Sequence, residues 1–65
     1  MIATNEQILS VQVGDTVKTK RGHTLVADWN SRHNEIDVQV YDAKGSMIAY
    51  LSPKSYVSIY GGDIE

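Results

Sequence analysis

The chain has 65 residues, with six Lys and Arg against eight Asp and Glu, and it contains no Cys and no Phe. A chain of this length forms one small domain and buries only about 60% of the surface that its unfolded form exposes. The absence of Cys excludes disulfides and thiolate zinc sites. The formal net charge of −2 argues against a generic nucleic-acid binder, because such domains carry a strongly basic face. We therefore expect self-association to supply extra stability.

The first ten residues, MIATNEQILS, differ from the rest of the chain. They lack the basic start and long apolar run of a secretory signal, and no stretch of the chain approaches the roughly 20 apolar residues that span a bilayer. We expect a cytoplasmic protein without membrane contact. Thr4 followed by Gln7 matches a capping box, which predicts a short helical turn over Asn5–Leu9 with Ile8 and Leu9 facing inward. The alternative for this segment is a frayed tail.

From Val11 onward, apolar residues alternate with polar ones, which is typical of β-strands. The alternation predicts strands within residues 11–20 and 24–29, separated by a tight turn at residues 21–23 and followed by a loop at residues 30–34. Trp29 shares the parity of Leu25 and Ala27, so we place it in the core or at the rim of a barrel.

Residues 35–41 form the clearest predicted strand, with Ile36, Val38 and Val40 pointing inward and Tyr41 pointing outward. A hairpin turn at residues 43–46, with Gly45 in the left-handed conformation, leads to a fourth strand at residues 47–51. Pro53 cannot continue that strand, because it lacks the N–H and fixes φ. A single 3-10 turn over residues 52–55, followed by a last strand over residues 56–60, completes the prediction.

The segment AYLSPKSYV, residues 49–57, resembles the end of an SH3 domain, in which a strand runs into a Pro-x-x-Tyr 3-10 turn and then into a short last strand. Pro53 and Tyr56 stand at the matching positions, and the resemblance implies that they help to line a groove for proline-rich peptides. We predict an all-β fold, a five-stranded SH3-like small barrel with a short N-terminal helical turn. Its expected organisation is an N-terminal turn or arm at residues 1–10, the barrel at 11–62 and a tail at 63–65.

Two further segments resemble other small barrels. Residues 14–22, GDTVKTKRG, resemble the opening of the KOW-type barrels of ribosomal proteins and transcription elongation factors. Residues 14–20 and 45–50 resemble two segments of the type II plasmid dihydrofolate reductases, which are tetramers of SH3-like barrels. In that family a Gln and a Tyr of the second segment line a central pore. Tyr50 matches the Tyr, whereas Ile48 stands at the Gln position and removes its polar contact with ligand.

The aromatic residues supply the candidate binding surface. Tyr and Trp combine a large contact area with a polar group, and they dominate protein-binding surfaces. We assign partner binding to Tyr41, Tyr50, Pro53 and Tyr56. The strand at residues 47–51 is apolar on both faces, so we expect a second cover from another subunit or from the N-terminal turn. The sequence thus predicts a module that binds itself or a partner protein, as a homo-oligomer.

A basic set supplies the alternative hypothesis. Lys18, Lys20, Arg21 and Arg32 lie in or near two predicted loops, which would converge into one patch that holds nucleic-acid phosphates. The simpler interpretation of these charges is a solvated hairpin that keeps the protein soluble.

Catalytic signals are sparse. His23 and His33 could pair with Asp28 or Asp37 for acid–base work, but the sequence does not fix them together. The serines lack a nucleophile-elbow context, and the glycines form no phosphate-cradling loop. Metal-ligand types are too scattered for a predicted cluster. We therefore predict no catalysis, no cofactor and no metal, with an oligomeric reductase as the third hypothesis.

Overall fold

The structure is a computed structural model, and it describes residues 2–61; the predicted tail at 63–65 and residue 62 lie outside the described residues. The elements in chain order are α1 (Asn5–Leu9), β1 (Thr16–Lys18), β2 (Thr24–Asn30), β3 (Glu35–Tyr41), β4 (Met47–Leu51) and α2 (Pro53–Tyr60). Within residues 2–61, neither helix has the length and apolar character needed to cross a membrane.

Helix α1 begins at the predicted capping box. The Gln7 backbone N–H donates to Thr4 Oγ1 at 3.2 Å, and the Thr4 N–H donates to Gln7 Oε1 at 2.9 Å, so each residue satisfies a backbone group of the other. Ile8 faces inward as predicted and is 2% exposed. Leu9, also predicted to face inward, is 49% exposed, because only one side of so short a helix contacts the core.

The four strands form one antiparallel sheet in the order β1-β2-β3-β4. Strand β3 and strand β4 have the predicted bounds, and the turns at Gly22 (φ +83°) and Gly45 (φ +86°) use the left-handed region that glycine adopts without strain. Strand β1 is shorter than predicted, since it covers only Thr16–Lys18. Sequential hairpins therefore account for the whole sheet.

The core lies on one face of this sheet. Leu25 and Ala27 of β2 stand opposite Val40 and Val38 of β3, and the helical layer adds Ile8 and Tyr56. Val11, from the segment after α1, completes the set of buried apolar residues. Each buried Val, Leu or Ile side chain among them contributes about 1.5–3 kcal/mol relative to full exposure. Both helices therefore cover the same face, which we call the inner face.

The predicted fifth strand is wrong: residues 56–60 lie in helix α2. The Ser55 N–H donates to Ser52 Oγ at 3.1 Å, and Pro53 follows at the first helical position, where its missing N–H costs nothing. The residues that predicted a 3-10 turn therefore start an α-helix. Tyr56 and Tyr60 are four residues apart and stack at a centroid distance of 4.9 Å, as neighbours on one face of a helix do and residues of an extended strand cannot.

With a helix in place of the last strand, the sheet stays open and the barrel is not confirmed. The N-terminal segment covers one edge instead. The Ala3 N–H donates to the Lys18 carbonyl oxygen at 2.8 Å, and Ile2 forms a parallel bridge with Lys18. Strand β4 forms the other edge, and a β-bulge interrupts its pairing with β3 next to Tyr41.

We expect Ser52→Ala to lower the free energy of unfolding by about 1 kcal/mol, because it removes the side chain that caps α2. Urea denaturation followed by circular dichroism measures the change. The matched control is Ser58→Ala, an exposed position inside the same helix, where Ala is the better helix former and stability should hold or rise slightly. Equal losses in both variants would contradict the capping role.

Candidate functional site

The face of the sheet opposite the core carries the exposed apolar side chains of β4. Cross-strand register places Tyr41 opposite Met47 and Gln39 opposite Tyr50. Ile48 is the extra residue of the bulge, so it and Met47 together oppose Tyr41. We call this face the outer face, and we define the outer apolar patch as Tyr41, Met47, Ile48 and Tyr50.

The patch is open to solvent. Met47 is 50% exposed, and Ile48 and Tyr50 are each 45% exposed. Tyr41 is half-buried, and its hydroxyl donates to Gln39 Oε1 at 2.6 Å, which fixes the ring along the sheet surface. Exposed large side chains grouped in this way mark interaction surfaces more often than scattered ones do.

Tyr50 is the member of the patch nearest to an acidic end of the sheet. Partial desolvation raises the pKa of its phenol above the ordinary value, and the nearby charges of Asp37 and Asp28 raise it further. Both effects disfavour the phenolate form of Tyr50.

The structure separates the four residues that the sequence assigned to partner binding. Tyr41 and Tyr50 share the outer face, whereas Pro53 is half-buried at the start of α2, on the side of the helical layer. Tyr56 is 1% exposed and belongs to the core. We therefore remove Pro53 and Tyr56 from the predicted surface, and Met47 and Ile48 take their place.

Tyr56 has a structural role that its hydroxyl makes specific. The hydroxyl lies 2.8 Å from Thr19 Oγ1 and 2.9 Å from His23 Nδ1, so it joins α2 to the β1–β2 turn. Burial is the main cause that raises the pKa of Tyr56, while the hydrogen bond to Thr19 opposes that shift. The His23 ring also meets the Tyr60 ring edge-on at 5.1 Å. His23 is therefore a packing residue and not half of an acid–base pair with Asp28 or Asp37.

The basic residues do not converge. Lys18 ends β1, and Lys20 and Arg21 lie in the turn before β2, where Arg21 Nε donates to the Tyr60 carbonyl oxygen at 2.9 Å. Arg32 lies in the turn after β2. Because β2 spans seven residues, the two turns are about 20 Å apart along the strand. The predicted four-residue basic patch is therefore wrong as a single surface.

A second group of exposed apolar residues lies outside the predicted set. Trp29 is 49% exposed and stands opposite the half-buried Ile36 at the far end of the inner face. The predicted place of Trp29, in the core or at the rim of a barrel, is therefore wrong, because the side chain is exposed and the sheet does not close. Val13, 53% exposed, precedes Gly14, whose N–H donates to the Ala27 carbonyl oxygen beside Trp29.

The end of the β2–β3 hairpin gathers three side chains that the sequence analysis treated as scattered. His33 Nδ1 lies 3.8 Å from Asp37 Oδ2 and 3.9 Å from Glu35 Oε2, and one potential ligand atom from each residue lies within 4.8 Å of the others. Asn34, at φ +54°, turns the chain so that His33 comes back over the strand. The signal was present as His-x-Glu-x-Asp, since period two places these residues on one face.

Comparison with protein-family models, with curated proteins and with solved structures found no match for this chain. The functional argument therefore rests on the geometry of the described residues.

We expect Tyr56→Phe to lower the free energy of unfolding by about 1–3 kcal/mol, because the hydroxyls and ring nitrogen around it lose a buried partner. Chemical denaturation measures the loss. The control, Tyr41→Phe, removes one hydrogen bond on the solvated outer face and should cost less. Equal stability of Tyr56→Phe and the parent would refute the role of the buried hydroxyl.

We expect Asp37→Asn to lower the pKa of Tyr50, because one of the negative charges that disfavour the phenolate is removed. A pH titration of carbon-13-labelled tyrosine rings by NMR separates the four tyrosines and measures the shift. The pKa of Tyr56, which burial raises and to which Asp37 does not contribute, serves as the internal control. An unchanged Tyr50 titration would show that Asp37 does not act on this ring.

Proposed function

We propose that this protein is a non-catalytic interaction or assembly module, which binds a second copy of itself or a partner protein through the outer apolar patch. The observation that supports the proposal most directly is the exposure of Met47, Ile48 and Tyr50 on a sheet face that bears no covering layer within residues 2–61. Burial of such side chains supplies most of the affinity of a protein interface.

The position of the two helices strengthens this proposal. Strand β4 is apolar on both faces. From this the sequence predicted that a second layer covers the strand, either the N-terminal turn or another subunit. Helix α1 inserts Ile8 into the inner core together with Tyr56 of α2, so the N-terminal turn covers the inner face. For the outer face, another protein surface is the option that remains.

The surroundings of the patch suit a specific contact. Polar and charged groups border it, with Gln39 beside Tyr50, Lys44 in the hairpin turn beyond Met47, and Asp37 toward the other end of β3. An apolar centre with a polar border is the ordinary anatomy of a protein interface. The proposal keeps a cytoplasmic location, which a chain without Cys suits.

Two narrower expectations do not form part of this proposal. A proline-peptide groove of the SH3 kind needs Pro53 and Tyr56 at the surface, and Tyr56 is in the core. A reductase pore would need a polar residue at the position of Ile48. Nucleic-acid association stays the alternative proposal, with Lys18, Lys20 and Arg21 at one end of β2 and Arg32 at the other.

We expect Tyr50→Ala to weaken self-association or partner binding at least tenfold while the monomer stays folded, since Tyr50 is exposed and leaves no cavity in the core. Light scattering over a range of protein concentrations measures the mass. The matched control is Ile59→Ala, which truncates a residue of α2 that is 61% exposed and lies away from the patch.

Unchanged mass and unchanged partner binding in Tyr50→Ala would contradict the proposal. An equal effect of Ile59→Ala would show that general surface stickiness, and not the outer apolar patch, drives association. The nucleic-acid alternative predicts instead an affinity for oligonucleotides that falls steeply with added salt and that does not depend on Tyr50.

A further inference from the structure

The end of the β2–β3 hairpin concentrates negative charge around a buried carboxylate. Asp37 is only 3% exposed, although it lies on the outer face, and Asp28 stands directly opposite it in the strand register. Like charges in that arrangement repel each other. Within residues 2–61, the ion pairs of Asp37 and Glu35 involve His33 alone, and His33 carries charge only when protonated.

Asp37 also has an unmet polar atom. Its Oδ2 accepts a hydrogen bond from Asn30 Nδ2 at 2.7 Å, whereas Oδ1 is buried and has no hydrogen-bond partner in the described part of the chain. A buried carboxylate costs several kcal/mol unless a cation or a full set of donors compensates it. The buried carboxylate is thus under-compensated as a whole: Oδ2, which faces His33 Nδ1 at 3.8 Å, has one donor, and Oδ1 has none in the described part of the chain.

From this arrangement we infer that His33, Glu35 and Asp37 form a binding site for a divalent first-row metal ion such as Zn²⁺. One imidazole nitrogen and two carboxylate oxygens are ligands that Zn²⁺ and Mn²⁺ accept. Tetrahedral ligands about 2.0–2.1 Å from zinc lie about 3.4 Å apart. The separations of 3.8 and 3.9 Å from His33 Nδ1 to the two carboxylates need to shorten by a few tenths of an ångström. The set as a whole spreads over up to 4.8 Å, and the exposed side chains of His33 and Glu35 are free to rotate and close that gap.

The hairpin already orients the ligands. The Arg32 N–H donates to Asn30 Oδ1 at 3.0 Å, which directs Asn30 Nδ2 toward Asp37 and holds that carboxylate in place. Asn30 Nδ2 also lies 3.3 Å from His33 Nδ1. An amide nitrogen only donates, so Nδ1 accepts this hydrogen bond with the same lone pair that would bind a metal ion. Asn30 is therefore a positioning residue, and metal binding replaces its weaker contact with His33.

Isothermal titration of the full chain with ZnCl₂ tests the site. We expect one ion per chain, complete loss of that binding in Asp37→Asn, and at least tenfold weaker binding in His33→Gln and in Glu35→Gln. His33 and Glu35 are exposed, so their variants fold as the parent does and keep the test valid if Asp37→Asn does not fold. The matched control, Glu6→Gln in α1, removes an exposed carboxylate elsewhere and should bind Zn²⁺ within twofold of the parent.

A second measurement locates the ion. Mn²⁺ should broaden the NMR signals of residues 33–37 most strongly and those of the turn at Gly22 much less, because the two ends of β2 are about 20 Å apart. Affinity should rise from Mg²⁺ to Mn²⁺ to Zn²⁺ for a site that includes imidazole. Absence of Zn²⁺ binding up to 1 mM, Zn²⁺ binding that persists unchanged in His33→Gln and Glu35→Gln, or broadening centred on His23 would each overturn the inference.

Discussion

The buried ring of Tyr56 is the contact on which the two layers of this molecule depend. The chain has no Phe, and among the described residues Tyr56 is the aromatic residue that is fully buried. Its ring fills the space between α2 and the sheet, while its hydroxyl reaches Thr19 and His23 in the first hairpin turn. The Tyr56 side chain supplies both the apolar contact and the hydrogen bonds. These contacts together fix the rotation of the short helix α2 about its own axis.

With α2 in this orientation, the helices cover the inner face of the sheet and leave the outer face exposed. A chain of 65 residues has enough large apolar side chains to bury one face of a four-stranded sheet, and both helices lie on that face. The outer face then separates into two regions along the strands. Apolar side chains surround Tyr50 at the bulged part of β4, and carboxylates surround His33 at the end of the β2–β3 hairpin.

The sequence predicted correctly those elements whose local pattern is typical of only one type of secondary structure. The capping box at Thr4 and Gln7 fixed α1, and strict alternation from Glu35 to Tyr41 fixed β3 with its inward face. Helix α2 was missed because Ser52 and Pro53 end a strand and start a helix equally well. The spacing of Pro53, Tyr56, Val57 and Tyr60, at positions i, i+3, i+4 and i+7, carried the helical signal.

The candidate site shows the same limit. Alternation placed Tyr41 on the outer face, but the bulge that exposes both Met47 and Ile48 arises from strand pairing, which a single strand does not encode. Burial of Tyr56 likewise depends on a helix that the alternation did not predict. His33, Glu35 and Asp37 come together because a left-handed Asn34 closes the hairpin over β3, and the even spacing of the three residues was the usable sign.

The two borders of the sheet have a consequence for how copies of this chain can assemble. Along β1 the backbone groups face the Ile2–Ala3 segment, and along β4 the ladder is distorted at Ile48. Neither border offers the flat, regular template on which strands add one after another into a filament. Contact between two identical broad faces, the arrangement proposed above, would instead close on itself and give a small, finite complex.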